Sequence, residues 1–257
     1  LENGTLAYVN YVAKVKDTGE VLEATREEDA KNLGIFDPVT RYTPRLVAVG
    51  EGWVLKGLDE VLAKANVGEK LTAEIPPEKG FGERDITKIK LVHERKFGEK
   101  AHELAVGAEV EVDGKVGTVR YIGSGRVQVD FNHRLAGKTL IYDLEVVKAI
   151  TEPLDVVKAL LLRRLPLTED KLNVTLQDDK VTVNIPEEIY FLDGLQFIKK
   201  ASSTDIFKFA KGVKEVTFIE LYKAPEEMPT GEKPKQEVKH VEAEAKETPK
   251  TEAKAEP

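Results

Sequence analysis

Cysteine is absent from this chain of 257 residues, and methionine and tryptophan occur once each. Disulfide staples and thiolate chemistry are thereby excluded, and a chain of this length can bury an ordinary core without them. Histidine is sparse: His93, His102, His133 and His240 are spaced in no zinc pattern, so neither a metal nor a cofactor is predicted. No early apolar run reaches signal-peptide or membrane-spanning length, which predicts a cytoplasmic protein without a membrane partner. Leucine as the first residue suggests a processed or trimmed start. A basic surplus is also missing, since 39 Lys and Arg face 46 Asp and Glu for a net charge of -7. Strong non-specific nucleic-acid binding is therefore not expected. A charged fraction of 33% with so little sulfur resembles the composition of thermophile proteins.

What is present first suggests, then denies, a nucleotide fold. "VAVGEGWVLKGLDEVL", Val47 to Leu62, runs from an apolar alternation through Gly50 and Gly52 into a helical pattern. In a dinucleotide fingerprint the third glycine would come sooner than Gly57, and Trp53, Val54 and Leu55 occupy the place where phosphate would lie. The glycines are read as serving backbone shape.

Along the chain the grammar changes three times. From Gly4 to about Phe81 short strands dominate ("LAYVNYVAKV", "VAVG", "KLTAEIP"), with a helix at Leu58 to Ala65 and another over "TREEDAKNLG", N-capped by Thr25 and stopped by Gly34. Residues 86–131 read as a small all-β module with turns at Asp113-Gly114 and Gly123 to Gly125. "KTLIYDLEVVKAI" then returns as a long strand that the small module cannot fully pair, so the module is read as an insertion. Residues 153–224 predict an α+β domain: a helix at "LDVVKALLLRRL", a hairpin around "QDDK", a helix at "EIYFLDGLQFIKKA" and a strand at "VKEVTFIELY". Residues 225–257 are too poor in large apolar groups to offset ordering entropy and are expected to be disordered.

Four stretches, "VNYVAKVKDTGEVLEAT", "VGEGWVLKGLDEVL", "VGEKLTAEIPPEKGFGERD" and "FNHRLAGKTLIYDLEVV", together resemble the FKBP family of peptidyl-prolyl isomerases. The "NHRLAG" that follows the insertion resembles the SlyD-type and archaeal long-type branch. The resemblance implies an α+β fold, an antiparallel sheet wrapped on a short helix, formed by residues 1–85 and 132–152 and interrupted by the chaperone insert at 86–131. It further implies a proline pocket of Tyr11, Leu22, Glu23, Val54, Leu55, Leu58, Phe81 and Tyr142. On residue type alone, Val54, Leu55 and Leu58 read as simple core. Leu22-Glu23 stand where Phe-Asp is usual, Leu58 where many members carry tryptophan, and Phe81 replaces the tyrosine of "AYG". Arg45 falls near a usual apolar wall. These departures bear on rate and macrolide affinity more than on fold.

The chemistry would need no nucleophile. Rotation about an imide bond meets a barrier of about 18 to 20 kcal/mol, and an apolar cleft favours the less polar twisted amide over the planar one. The resemblance also implies that Leu91, Phe97, Leu104, Tyr121 and Ile122 of the insert bind unfolded, proline-containing clients, although the module's own core must claim about half of such groups, Phe131 included. Lys115, Arg120 and Arg126 are too scattered for an RNA phosphate track. Two other functions stay open at this point, a holdase with a degenerate pocket and a ribosome-associated adaptor. Apolar faces in residues 153–224 (Leu154, Val157 and Leu161 on the helix; Leu172, Val174, Leu176, Val181, Val183 and Ile185 on the hairpin) predict a homodimer through that domain.

Overall fold

The computed structural model describes residues 1–223, so the tail expected to be disordered, with His240, lies outside the described residues. Sheet A is built from β1 (Leu6–Val15), β2 (Val21–Ala24), β3 (Arg45–Ala48), β4 (Lys70–Ile75) and β9 (Leu140–Ile150). All of its pairings are antiparallel: β1 lies between β9 on one side and β2 and β3 on the other, and β9 also pairs with β4. The returning strand expected near residue 140 is β9, which runs against β1 from Leu6↔Ile150 to Val15↔Leu140. Because successive strand residues face opposite ways, Ala7, Val9, Tyr11, Ala13 and Val15 enter one core while Leu6 and Tyr8 join another.

Two helices punctuate this sheet, and each differs from its expected form. The first, α1 (Glu27–Asn32), is N-capped by Arg26 without a side-chain bond. Thr25 is instead buried, and its hydroxyl accepts from the Tyr11 amide at 2.9 Å, so a strand donor outcompeted the helix for it. The second, α2 (Lys56–Leu62), begins two residues before the expected Leu58 and ends before Ala65. Gly57 permits the early start: a Cβ there would stand 2.7 Å from Ile75 Cγ2, and only glycine lets the helix approach β4 so closely.

Sheet B holds β5 (Ile89–His93), β6 (Glu109–Val112), β7 (Lys115–Gly123) and β8 (Arg126–Asp130) in the order β5-β8-β7-β6. Asp113-Gly114 and Ser124-Gly125 take positive φ at both positions, the twist-matched geometry of tight hairpins. The module is not purely β. "ERKFGEKAHE" lacks period-two alternation and forms 3-10 turns over Glu94–Glu103, kinked at Gly98, with Phe97 closing over Val119, Val127 and Val129.

The C-terminal region contains α3 (Pro153–Arg164), β10 (Asn173–Gln177), β11 (Lys180–Ile185), α4 (Leu195–Phe209) and β12 (Glu215–Glu220). The helix expected over 188–201 is displaced. A 3-10 turn spans Glu187–Ile189, Gly194 takes φ 74 as the N-cap, and the helix continues to Phe209. Since α4 carries the chain back over the sheet, β12 pairs parallel to β11 while β10 pairs antiparallel. Leu6, Leu46, Ala48 and Ile150 from sheet A share one buried cluster with Val157, Leu160, Val183 and Ile206. With each fully buried aliphatic side chain worth about 1.5–3 kcal/mol, this contact is a core and not a tether. No helix among the described residues is long and apolar enough to cross a membrane.

Candidate functional site

The other face of sheet A carries most of the residues that the family resemblance implies for a pocket. Tyr11 of β1 and Tyr142 of β9 approach with ring centroids 5.4 Å apart, and both are buried in one cluster with Leu58, Leu62, Ile75 and Leu144. Leu22, Val54 and Leu55 pack against this cluster while remaining partly exposed. Six of the eight expected residues thus converge from β1, β2, β9, α2 and the approach to α2. Leu135, from "NHRLAG", is buried among them and was not singled out from the sequence.

The segment delivering Val54 and Leu55 is held by a buried carboxylate. Gly50 (φ 78) and Gly52 (φ 67) turn their amides toward Asp59 of α2, which accepts from Gly50 N at 2.8 Å and Gly52 N at 3.1 Å. The glycine amides that a nucleotide fold would turn toward a phosphate are satisfied by the protein's own anion. The Leu55 carbonyl, at the N-cap of α2, accepts from the Asp59 amide at 2.9 Å, and the Leu55 side chain packs against the apolar cluster.

Glu23 marks the polar rim. Its carboxylate accepts from the Tyr11 hydroxyl at 2.9 Å and from Arg45 Nη1 at 2.6 Å, and the same guanidinium nitrogen donates to the Tyr11 oxygen at 3.2 Å. Arg45, a departure from the usual apolar wall, thus belongs to the site as the cation that completes a three-way contact. The Glu23–Arg45 ion pair is about half exposed on each side, so it orients more than it stabilises. Burial, then the Glu23 charge, raises the Tyr11 hydroxyl pKa, while Arg45 opposes the shift. Tyr142 is pushed up to about 12 by burial and then by Glu23. Both rings stay neutral at physiological pH.

Phe81 stands apart from the apolar cluster. Its ring stacks on His133, with centroids 4.5 Å apart and planes 7° from parallel, and it remains 37% exposed. The His133 Nδ1 accepts from the Leu135 amide at 3.2 Å, which fixes the imidazole under the phenyl ring. Close by in sequence, the two strands joining sheet B to sheet A are locked together. Asp85 N donates to Asn132 Oδ1 at 2.9 Å and Asn132 Nδ2 to Asp85 O at 2.8 Å. Asp130, 2% exposed, accepts from Arg84 at 2.5 Å, Arg120 at 3.3 Å and Asn132 at 2.7 Å. Burial pushes the Asp130 carboxyl up, but the Asn132 bonds and Arg84 outweigh it and hold it below the usual range.

The expected client residues divide. Leu91 and Tyr121 are each 58% exposed on sheet B, whereas Phe97, Leu104 and Ile122 pack against the module's three-valine core. Phe131 joins them there. Arg120 donates to Asp130 at 3.3 Å.

The family described as "FKBP26, IF domain" matches residues 95–135, and "FKBP26_C-terminal" matches residues 153–223. A short-type peptidyl-prolyl cis-trans isomerase of Methanocaldococcus jannaschii is 33% identical over 146 residues, covering 57% of this chain and 92% of that protein. The FKBP-type 16 kDa peptidyl-prolyl cis-trans isomerase of Escherichia coli is 29% identical, covering 58% of this chain and 93% of the relative. A SlyD isomerase of Haemophilus influenzae is 31% identical over 45% of this chain and 62% of its own length.

Proposed function

This chain belongs to the FKBP-type peptidyl-prolyl cis-trans isomerase family, in the long-type branch with an FKBP26 insert-in-flap domain and C-terminal domain, and from that premise we propose that it accelerates X-Pro isomerisation in unfolded or partly folded proteins. The observation that supports catalysis is the convergence of Tyr11, Leu22, Val54, Leu55, Leu58 and Tyr142 on one apolar surface rimmed by Glu23 and Arg45. Proline on that surface leaves water, and a planar amide loses more solvation than a twisted one, so the barrier falls without covalent chemistry. The Leu55 amide holds a neighbouring substrate carbonyl while the bond turns. Arg45 keeps guanidinium donors beyond those spent on Glu23 and Tyr11, which offsets the hydroxyl that Phe81 lacks. Phe81, braced on His133, forms the wall nearest the insert.

In this reading residues 1–85 and 132–152 form the isomerase, and the insert at 86–131 is the chaperone, presenting Leu91 and Tyr121 to clients in the cytoplasm. Residues 153–224 self-associate in this reading, which is supported by Phe191 at 91% and Phe197 at 83% exposure. The test measures isomerisation of a proline tetrapeptide and refolding of a proline-limited protein, with the intact chain and with residues 86–131 excised. The paired hydrogen bonds of Asp85 and Asn132 bring the cut ends together, so a short turn can join them. Excision should leave the peptide rate within a few-fold and sharply lower the refolding rate, because tethering raises local client concentration. Equal losses on both substrates would defeat this division of labour. Absence of peptide turnover by the intact chain would instead favour a non-catalytic holdase.

A further inference from the structure

Arg45 has a second neighbourhood. Beyond the rim it shares with Glu23, it lines a cleft of about 950 Å³ between the outer face of sheet A, the loop before β3, and helices α3 and α4. That volume is near the upper end of the ~300–1,000 Å³ typical of pockets that enclose a ligand, room for several residues of extended chain. The cleft has a surplus of cations in a protein whose net charge is -7. Arg41, Arg45, Lys148, Lys158, Arg163 and Arg164 line it. Glu23, Asp155 and Glu169 line it as well, and Asp205 meets Arg163 and Arg164 from outside the lining.

Several of these cations are not neutralised by the protein. Arg164 is held by Asp205 through bonds of 3.0 and 2.7 Å, and Arg45 by Glu23. Arg163 lies 3.7 Å over the Trp53 ring, with Asp205 3.8 Å away. By contrast Arg41 donates to the neutral Leu167 carbonyl, Lys148 sits over Tyr8, and neither they nor Lys158 has an ion-pair partner among the described residues. The cleft shares an edge with the candidate site, since Glu23 and Arg45 line it and also contact the Tyr11 hydroxyl, and Trp53, which lines it too, immediately precedes Val54 and Leu55.

We propose that this cleft selects clients by charge: it receives the segment flanking the proline, and it favours segments that carry carboxylates. This rests on the isomerase reading for the position of the proline, but not for the binding preference itself. An extended polypeptide fits better than a nucleic acid because the three acidic residues interrupt any continuous phosphate path. The single tryptophan is already covered by Arg163 and Phe209, which leaves no free indole for base stacking.

The test is binding, read by fluorescence anisotropy with labelled peptides that share a central Leu-Pro and carry paired Asp, Asn or Lys residues on one side or the other. Two or three partly exposed charge contacts predict about a fivefold tighter Kd for the acidic peptide than for its amide counterpart. This advantage should be present at about 50 mM salt and lost at about 500 mM. It should fall below twofold in the Arg41→Gln/Lys158→Gln double variant and survive in Arg41→Lys/Lys158→Arg. Equal binding of all peptides, or an acidic preference untouched by the glutamine substitutions, overturns the proposal. So does a single-stranded RNA oligomer that displaces the acidic peptide at lower concentration than unlabelled peptide does. A preference that persists when the neutral tetrapeptide is not isomerised would sink the isomerase reading and leave the cleft assignment standing; turnover without preference does the reverse.

Discussion

Replacing Asp59 by alanine should open the pocket from behind. The carboxylate is only 9% exposed and accepts two backbone amides, Gly50 N at 2.8 Å and Gly52 N at 3.1 Å. Hydrogen bonds to a charged acceptor are worth about 1.5–3 kcal/mol each. Because the two share one carboxylate, the loss is less than additive, and about 3 kcal/mol is expected. That is a large part of a typical stability of about 5–15 kcal/mol. A chain with three sheets need not unfold in one step, so the informative assay is local amide exchange at Gly50 and Gly52. At about 1.4 kcal/mol per factor of ten, exchange there should accelerate roughly a hundredfold. Asp59→Asn keeps one acceptor and turns an NH2 toward the second amide, so it should fall between wild type and alanine. Because the freed loop carries Val54 and Leu55, tetrapeptide turnover should drop several-fold in parallel. Exchange within about threefold of wild type in Asp59→Ala would refute the claim that this carboxylate holds the loop.

Phe81→Tyr should keep the fold and leave peptide turnover equal or higher, whereas Phe81→Ala should lower it by removing the wall; titrated proline peptide that leaves the Phe81 amide resonance unmoved would misplace the pocket. Tyr142, with its hydroxyl pushed up to about 12, contributes stability that is complete below the unfolded value near 10 and is lost as pH rises through about 12, at about 1.4 kcal/mol per unit. Urea midpoints taken across that range should fall less steeply in Tyr142→Phe, and identical slopes would dismiss the assignment. Asp130→Asn should speed amide exchange at Asp85 and Asn132 while leaving α2 unchanged, and acidification below the usual carboxylate range should do the same to wild type, because the Asp130 pKa is lowered in the fold. Sedimentation at tens of micromolar should give a dimer mass that the exposed-face variant Phe191→Ser/Phe197→Ser lowers to that of a monomer; a monomer mass for the unaltered chain would exclude self-association through this region.

Elements whose information is local were legible in the sequence. Alternation in "LAYVNYVAKV" placed β1, and Asp113-Gly114 placed a hairpin, because period and turn chemistry are carried by neighbouring residues. The misreadings have a common cause in contacts between distant residues. Thr25 has the local pattern of a helix cap, and nothing local reveals that Tyr11 claims its hydroxyl. The start of α4 was placed too early because "EIYFLDG" is apolar enough for a helix, while Gly194 in the left-handed region resets the chain. Parallel pairing of β12 with β11 could not be read from either strand. At the site, the apolar residues came from family resemblance, but Asp59, Leu135 and the Phe81–His133 stack are partnerships across folds of the chain that no short motif encodes.

The pairing of Leu6 with Ile150 sets the order in which the parts of the molecule can be completed during synthesis. Strand β1 leaves the ribosome early, yet the strand that covers its open side is β9, made only after the whole insert has been translated. Sheet B, by contrast, draws every strand from Ile89 to Asp130 and closes through short hairpins and nearby pairings. At about 5–20 residues per second, β1 waits on the order of ten seconds with one edge unpaired, while sheet B needs only its own residues. The insert can thus finish while the sheet that bears it is still incomplete. A newborn copy of this protein passes through an interval in which its own first strand, exposed and apolar, is the sort of client its finished insert is proposed to hold.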